Sequence, residues 1–215
     1  MDFILFDLDG TIIDSDQGVV NSVIYAAEHF GIEIKDRTAL RVFLGPPLGA
    51  MFMEYFGFDE EKAAVAVAKY RERYGTVGVY ENTIYDGMEY AVKLLHKSGK
   101  KLCLATSKPE KFARMILEQH NITEYFDEIT GATIDGKIST KDEVIAELLR
   151  RQGITDMSNI LMVGDRFYDV EGSKKFGIDC MGVTFGFGTE KELVSAGAKF
   201  IAHSPKEMAD KILKI

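Results

Sequence analysis

Phe3-Ile4-Leu5-Phe6-Asp7-Leu8-Asp9-Gly10-Thr11 is a short apolar run that ends in two carboxylates, a glycine and a hydroxyl. Such a run, too short for a helix and bounded by turn-forming residues, reads as a buried strand over Phe3 to Leu8. Its acids then stand at the carboxyl end, the side on which open α/β sheets bind ligands. Strand alternation points Asp7 and Asp9 the same way and sets two like charges close together, which calls for a compensating cation or a shared proton. A calcium loop is a competing reading because Asp7, Asp9 and Thr11 alternate as its first ligands do. It fails on spacing: the glycine comes at the fourth position instead of the sixth, and Gly18 stands where the twelfth-position Glu belongs.

Working outward, strand-like and helix-like patterns alternate. Apolar runs recur at Leu102 to Thr106, Ile129 to Ala132, Ile160 to Gly164, Met181 to Phe185 and, more weakly, Phe200 to Ala202. Between them Met88, Ala91, Val92 and Leu95 keep helical spacing ahead of Gly99, Phe112 to Gln119 follow Pro109, and Val144 to Leu149 precede Gly153. Thr140 with Glu143 forms a capping-box pattern before the last of these helices. Nearly continuous apolar strands separated by helices predict an α/β fold, a Rossmann-like three-layer parallel sheet covered on both faces.

The first strand breaks that alternation. About 70 residues of mostly helical pattern follow it, with Ser15 and Asp16 as candidate caps for an apolar stripe of Val19, Val20, Val23, Ile24, Ala27 and Phe30. Further helical stretches are expected over Thr38 to Phe43, Leu48 to Phe56 and Asp59 to Tyr74. Residues 15–80 are therefore expected to form an inserted helical domain, with 1–14 and 81–215 as the sheet-bearing core.

Composition narrows the partners. With 215 residues, 26 Lys+Arg against 34 Asp+Glu and a net charge of −8, the chain has no broad basic face for a nucleic-acid backbone or an anionic membrane. A small anionic ligand remains open, because one pocket can be basic inside an acidic protein. Cys103 and Cys180 lie far apart in apolar segments and are expected to be free core thiols. No basic stretch precedes the first apolar run, and no segment reaches the length of a membrane span, so a cytoplasmic location is expected.

Two other strand ends carry matching chemistry. Leu102-Cys103-Leu104-Ala105-Thr106-Ser107 ends in hydroxyls, and Ile160-Leu161-Met162-Val163-Gly164-Asp165 ends in an acid, with Asp169 four residues on. In a parallel sheet these ends share one rim, so Asp7, Asp9, Thr106 and Asp165 converge. Clustered carboxylates without competing His or Cys suit a hard cation such as Mg²⁺. Thr106 with Ser107, and Asp169, could instead cap the helices that follow them. Lys141 opens a helix at its positive end, an unfavourable position for a cation that is therefore worth a functional explanation.

On Asp7-Leu8-Asp9-Gly10-Thr11, Thr106, Lys141 and Gly164-Asp165 with Asp169, the sequence resembles the haloacid dehalogenase superfamily, in its phosphatase branch with a helical cap after the first strand. Phe43-Leu44-Gly45-Pro46-Pro47-Leu48 and Gly164-Asp165-Arg166-Phe167-Tyr168-Asp169 bring it nearest the phosphoglycolate phosphatases and related nucleotidases. The resemblance implies a Mg²⁺-dependent phosphomonoesterase acting on a small phosphorylated metabolite, with 2-phosphoglycolate the first candidate. A nucleoside 5′-monophosphate or pyrophosphate comes next. It implies Asp7 as nucleophile, Asp9 as acid and base, and Thr106 and Lys141 on the phosphoryl group. Mg²⁺ would be held by Asp7, the Asp9 backbone carbonyl, Asp165 and Asp169. Gly10, Thr11, Ser107, Lys108 and Arg166 are candidate substrate contacts on the core, as are Arg41, Tyr25, Pro46 and Pro47 on the cap. The protein would be a monomer or homodimer. A phosphosugar mutase is disfavoured because Gly164-Asp165 replaces the Glu-Asp usual in its fourth motif. A phosphorylated receiver domain has no helical insertion, and Gly186-Phe187-Gly188 lacks the third glycine of a dinucleotide fingerprint.

Overall fold

A computed structural model describes all residues, 1–215. The chain forms two compact units, Met1–Asp14 with Ile84–Ile215, and Ser15–Thr83.

The first unit holds a six-stranded sheet in the order β5-β4-β1-β6-β7-β8, every neighbouring pair parallel. The strands are β1 (Phe3–Phe6), β4 (Lys101–Pro109), β5 (Glu128–Ala132), β6 (Ile160–Gly164), β7 (Asp179–Val183) and β8 (Phe200–Ala202). The two-residue strands β2 (Ile13–Asp14) and β3 (Thr83–Ile84) lie where the chain leaves this unit and returns to it. Helices α6 (Lys141–Gln152), α7 (Phe167–Lys174) and α8 (Glu190–Ala196) cover one face, packing Val144, Leu148, Val170 and Leu193 on Leu5, Cys103, Met162 and Cys180. Helices α4 (Met88–Lys97) and α5 (Glu110–Gln119) cover the other, with α9 (Pro205–Ile212) against α4. Both cysteines are free and buried, as their apolar surroundings require.

From β1 the chain moves outward through β4 to β5, then returns to β6 on the other side of β1. The order therefore reverses at β1, and the reversal opens a crevice at the carboxyl end of that strand. Phe6 is level with Leu104 of β4 and Val163 of β6, so β1 and β6 end at nearly one height while β4 runs on past them to Pro109.

Three strand boundaries differ from the sequence reading. β1 ends at Phe6: the Asp7 N–H still donates to Val163 O at 2.9 Å, but the Leu8 carbonyl then accepts from Thr11, Ile12 and Ile13, closing a turn. Asp9 therefore sits in a turn, and strand alternation does not govern its direction. β4 runs on to Pro109 through a register shift between Thr106 and Pro109. β7 stops at Val183, because Phe185 to Phe187 curl back toward Asp165, where the Phe187 N–H donates to Oδ2 at 2.7 Å. The capping box of Thr140 and Glu143 forms as expected at α6.

The second unit contains α1 (Asp16–His29), α2 (Leu48–Phe56) and α3 (Glu60–Tyr74), with Thr38–Phe43 a 3-10 turn instead of an α-helix. Ser15 occupies the N-cap position of α1 but its hydroxyl makes no capping bond and is buried without a partner. Phe43, Phe52, Tyr55, Phe56 and Phe58 form an interlocked aromatic cluster with ring centroids 4.9 to 6.4 Å apart, Phe43 and Phe52 buried, Phe56 and Phe58 half-buried and Tyr55 exposed. Glu81 belongs to this unit, since it takes two hydrogen bonds from Arg73 at 2.7 and 2.9 Å and one from Asn21 at 3.2 Å. The chain consequently re-enters the sheet unit at Ile84, three residues later than the expected 81.

Candidate active site

Asp7 is the centre of the site. It follows β1 directly, is buried, and its Oδ1 accepts from Lys141 Nζ at 2.6 Å. The same ammonium donates to Ala105 O at 2.8 Å and lies 2.8 Å from Asp169 Oδ1. A lysine in the first turn of α6 is thus explained by what it reaches across the sheet end. Burial works against its charge, but the carboxylates of Asp169 and Asp7 more than reverse this and hold its pKa above the usual lysine range. Burial raises Asp7 to about 6, against the opposing pull of Lys141.

Asp165 follows β6 directly and Asp169 lies in the first turn of α7, where its Oδ2 accepts from the Arg166 N–H at 3.1 Å. Asp169 is therefore both a helix cap and a member of the cluster. Ligand oxygens of Asp7, Asp165 and Asp169 all lie within 4.8 Å of one another. Burial, then the neighbouring Asp169 and Asp7 charges, push Asp165 well above the carboxylate range. Its Oδ1 is buried with no hydrogen-bond partner, an expensive state for a carboxyl oxygen unless a cation takes it. Three convergent oxygen donors with one bare buried lone pair fit Mg²⁺ or a similar hard cation.

Glycines make this crowding possible. A Cβ on Gly164 would fall 2.1 Å from Asp169 Cγ, and one on Gly10, whose φ is +83°, would fall 2.2 Å from Asp165 Oδ2. A Cβ on Gly186 would meet Gly10 O at 2.0 Å, and one on Gly188 would meet Asp165 O at 1.9 Å. Gly186-Phe187-Gly188 is thus the loop that closes over Asp165. The two glycines flanking an aromatic just after a strand were the available signal, and only the fold shows what approaches them.

Thr106 is buried at the bulge of β4, and its Oγ1 accepts the Lys108 N–H at 3.2 Å, which leaves its own proton free to donate. Ser107 lies half-buried in the same bulge. Lys108 turns its Nζ onto both carboxyl oxygens of Asp9, each at 2.8 Å, instead of presenting it to solvent. Gly10 and Thr11 lie in the turn after β1: their amides donate to Ile13 O and Leu8 O, and Thr11 is fully buried. Arg166 is engaged with Glu192 at 2.8 Å and lies over the Phe167 and Tyr168 rings. Within the helical unit, Arg41 pairs with Asp16 at 3.0 Å and Tyr25 donates to Glu72 at 2.5 Å. No helix is long and apolar enough to cross a membrane.

Comparison with known proteins bears on this geometry. Residues 4–183 match the family model of haloacid dehalogenase-like hydrolases. A 5′-nucleotidase of Pseudomonas aeruginosa is 43% identical over 88% of this chain and 86% of its own length. The Tyrosine-protein kinase PtkA of Mycobacterium tuberculosis is 33% identical over 94% of this chain and 68% of its own length. The crystal structure of a predicted phosphatase from Clostridium acetobutylicum superposes with a TM-score of 0.95 at 44% identity, covering 100% of this chain and 99% of the other. The acid-and-lysine cluster at the end of β1 thus belongs to an enzyme, and the chain is a member of the haloacid dehalogenase-like hydrolase family.

Proposed function

We propose that the protein hydrolyses small phosphomonoesters through an aspartyl-phosphate on Asp7. The observation that carries this reading is the Lys141 contact to Asp7 Oδ1 beside Asp165 and Asp169. A carboxylate approaching an anionic phosphate must be oriented and its repulsion offset. Lys141 does both, holding Asp7 by one oxygen and supplying a positive charge that burial cannot easily remove. Asp7 forms a bond to phosphorus as the ester bond breaks, and Asp9 gives its proton to the departing oxygen. Water then attacks phosphorus, Asp9 takes a proton from it, and Asp7 is released with inorganic phosphate. The Thr106 hydroxyl donates to a phosphoryl oxygen in both steps. Asp7, Asp165 and Asp169, with the Asp9 carbonyl, would hold Mg²⁺, which neutralises phosphoryl charge when bound.

For the leaving group, the 43% identical relative named a 5′-nucleotidase supports a nucleoside 5′-monophosphate ahead of 2-phosphoglycolate, which rests on the motif resemblance. The helical unit would act as the cap that selects it, with Arg41 a candidate selector. Neither a nucleic-acid polymer nor a membrane is an expected partner of a chain with net charge −8.

The test is phosphate release from nucleoside 5′-monophosphates, 2-phosphoglycolate, pyrophosphate and sugar phosphates, with Mg²⁺ or excess chelator. Metal-dependent turnover preferring a monophosphate supports the reading, and no release from any of them by folded protein contradicts it.

A further inference from the structure

Lys108 is one of five charged residues that the fold buries, and the reaction as derived above leaves it without a task. The local structure takes trouble to place it. At the end of β4 the register slips between Thr106 and Pro109, so Lys108 falls inside a β-bulge, a device that re-aims a side chain at the edge of a site. The neighbouring strand yields to it: a Cβ on Gly131 of β5 would lie 2.6 Å from Lys108 O and from the Glu110 backbone. The Thr106 hydroxyl accepts the Lys108 N–H and pins the bulge from within. Thus aimed, the ammonium crosses to the turn after β1 and meets both oxygens of Asp9 at 2.8 Å, with side chains only 6% and 18% exposed.

Asp9 needs such a holder. It lies past the end of β1, in a turn closed by the Leu8 carbonyl and bridged only to Ile13, so the alternation of β1 does not set its side chain's direction. A general acid that later becomes a base must meet two different oxygens on one side of the phosphorus, and misplacement weakens both transfers. We propose that Lys108 is a positioning residue that clasps the Asp9 carboxyl toward the phosphoryl site for both half-reactions. Lys108 keeps its own protons throughout. The transferred proton passes from Asp9 to the leaving oxygen as the Asp7–phosphorus bond forms, and from water to Asp9 as that bond breaks. This role rests on the proposed function, since it presumes that Asp9 performs those transfers.

The experiment compares wild type, Lys108→Met and Lys108→Arg with p-nitrophenyl phosphate, reading kcat, KM and the share of protein trapped by acid quench with phosphate on Asp7. The p-nitrophenolate leaving group needs little protonation, so a misplaced Asp9 slows chiefly the second step. For Lys108→Met, kcat should fall at least about tenfold, KM should change by less than about threefold, and trapped phosphoenzyme should rise above wild type. Lys108→Arg, which can still present two N–H groups to a carboxylate, should restore part of kcat and lower the trapped share. If Lys108→Met does not fold, Lys108→Gln carries the same comparison, with the same rise in phosphoenzyme expected. A raised KM with kcat and trapped share unchanged would assign Lys108 to phosphate binding and overturn the proposal, and so would three unchanged parameters. Wild type that releases no p-nitrophenol and traps no phosphate would instead remove the function on which the clasp depends.

Discussion

The two units bury different chemistry. In the sheet unit Asp7, Lys108, Lys141, Asp165 and Asp169 are all withdrawn from water, whereas no charged side chain between residues 15 and 83 is buried. The helical unit is filled instead by the aromatic cluster around Phe52 and by Tyr70 stacked on Tyr74 at 5.3 Å. Its ion pairs stay at or near the surface, as with Arg41 and Asp16. Burying aromatic rings stabilises a fold unaided, while burying five charges opposes it unless they pair closely. A fold retains such a set where something depends on it, so the contrast supports placing the phosphoryl chemistry in the sheet unit and leaves to the helical unit the proposed selection of the leaving group. It also predicts that turnover is lost by mutation among the buried charges of the sheet unit, whereas mutation of the helical unit's aromatic cluster disturbs stability.

The contrast is broken most directly at Asp7. Asp7→Asn should leave the melting temperature near wild type yet lower turnover by about 10⁴-fold or more, measured as phosphate release; activity within about tenfold of wild type would move the nucleophile elsewhere. The counterpart is Phe52→Ala, which should cost about 3–5 kcal/mol of stability, read by denaturant unfolding, while the protein that remains folded still forms phosphoenzyme. Gly164→Ala sharpens the role of crowding. Its new methyl would overlap the Asp169 carboxyl, so about 1–3 kcal/mol of stability and most Mg²⁺ activation should be lost together, seen in paired melts and metal titrations. The smallest effect concerns Glu81, whose hydrogen bonds from Arg73 hold its pKa below the ordinary 4.5. A lowered folded pKa means stability present above 4.5 and lost as pH falls through the folded value. Glu81→Gln should therefore flatten the dependence of melting temperature on pH below about 4.5, with a loss under about 1 kcal/mol at neutral pH.

Much of this arrangement was legible in the sequence, and the parts that were not share a cause. The polar positions Asp7, Thr106 and Asp165 could be read because a buried parallel strand is a continuous apolar run and the polar residue that interrupts it is conspicuous. Lys141 stood out for violating the helix dipole, and the structure shows the two carboxylates that justify it. By contrast, the bulge that turns Lys108 toward Asp9 depends on Gly131, whose partner strand lies more than twenty residues away in sequence. The closing of Phe187 over Asp165 likewise requires two chain segments to meet. Ser15 is of a residue type that favours capping, yet its hydroxyl makes no bond to the helix amides. Local pattern reports which residues end an element, and only long-range register reports what those ends touch.

The central claim is that phosphate passes through Asp7. Wild-type protein mixed with p-nitrophenyl phosphate and Mg²⁺, quenched in acid within one turnover and mapped by peptide mass, should carry a phosphoryl group on Asp7 that vanishes as inorganic phosphate appears. Turnover that proceeds with no phosphate on Asp7, or with phosphate on another residue, would contradict the account.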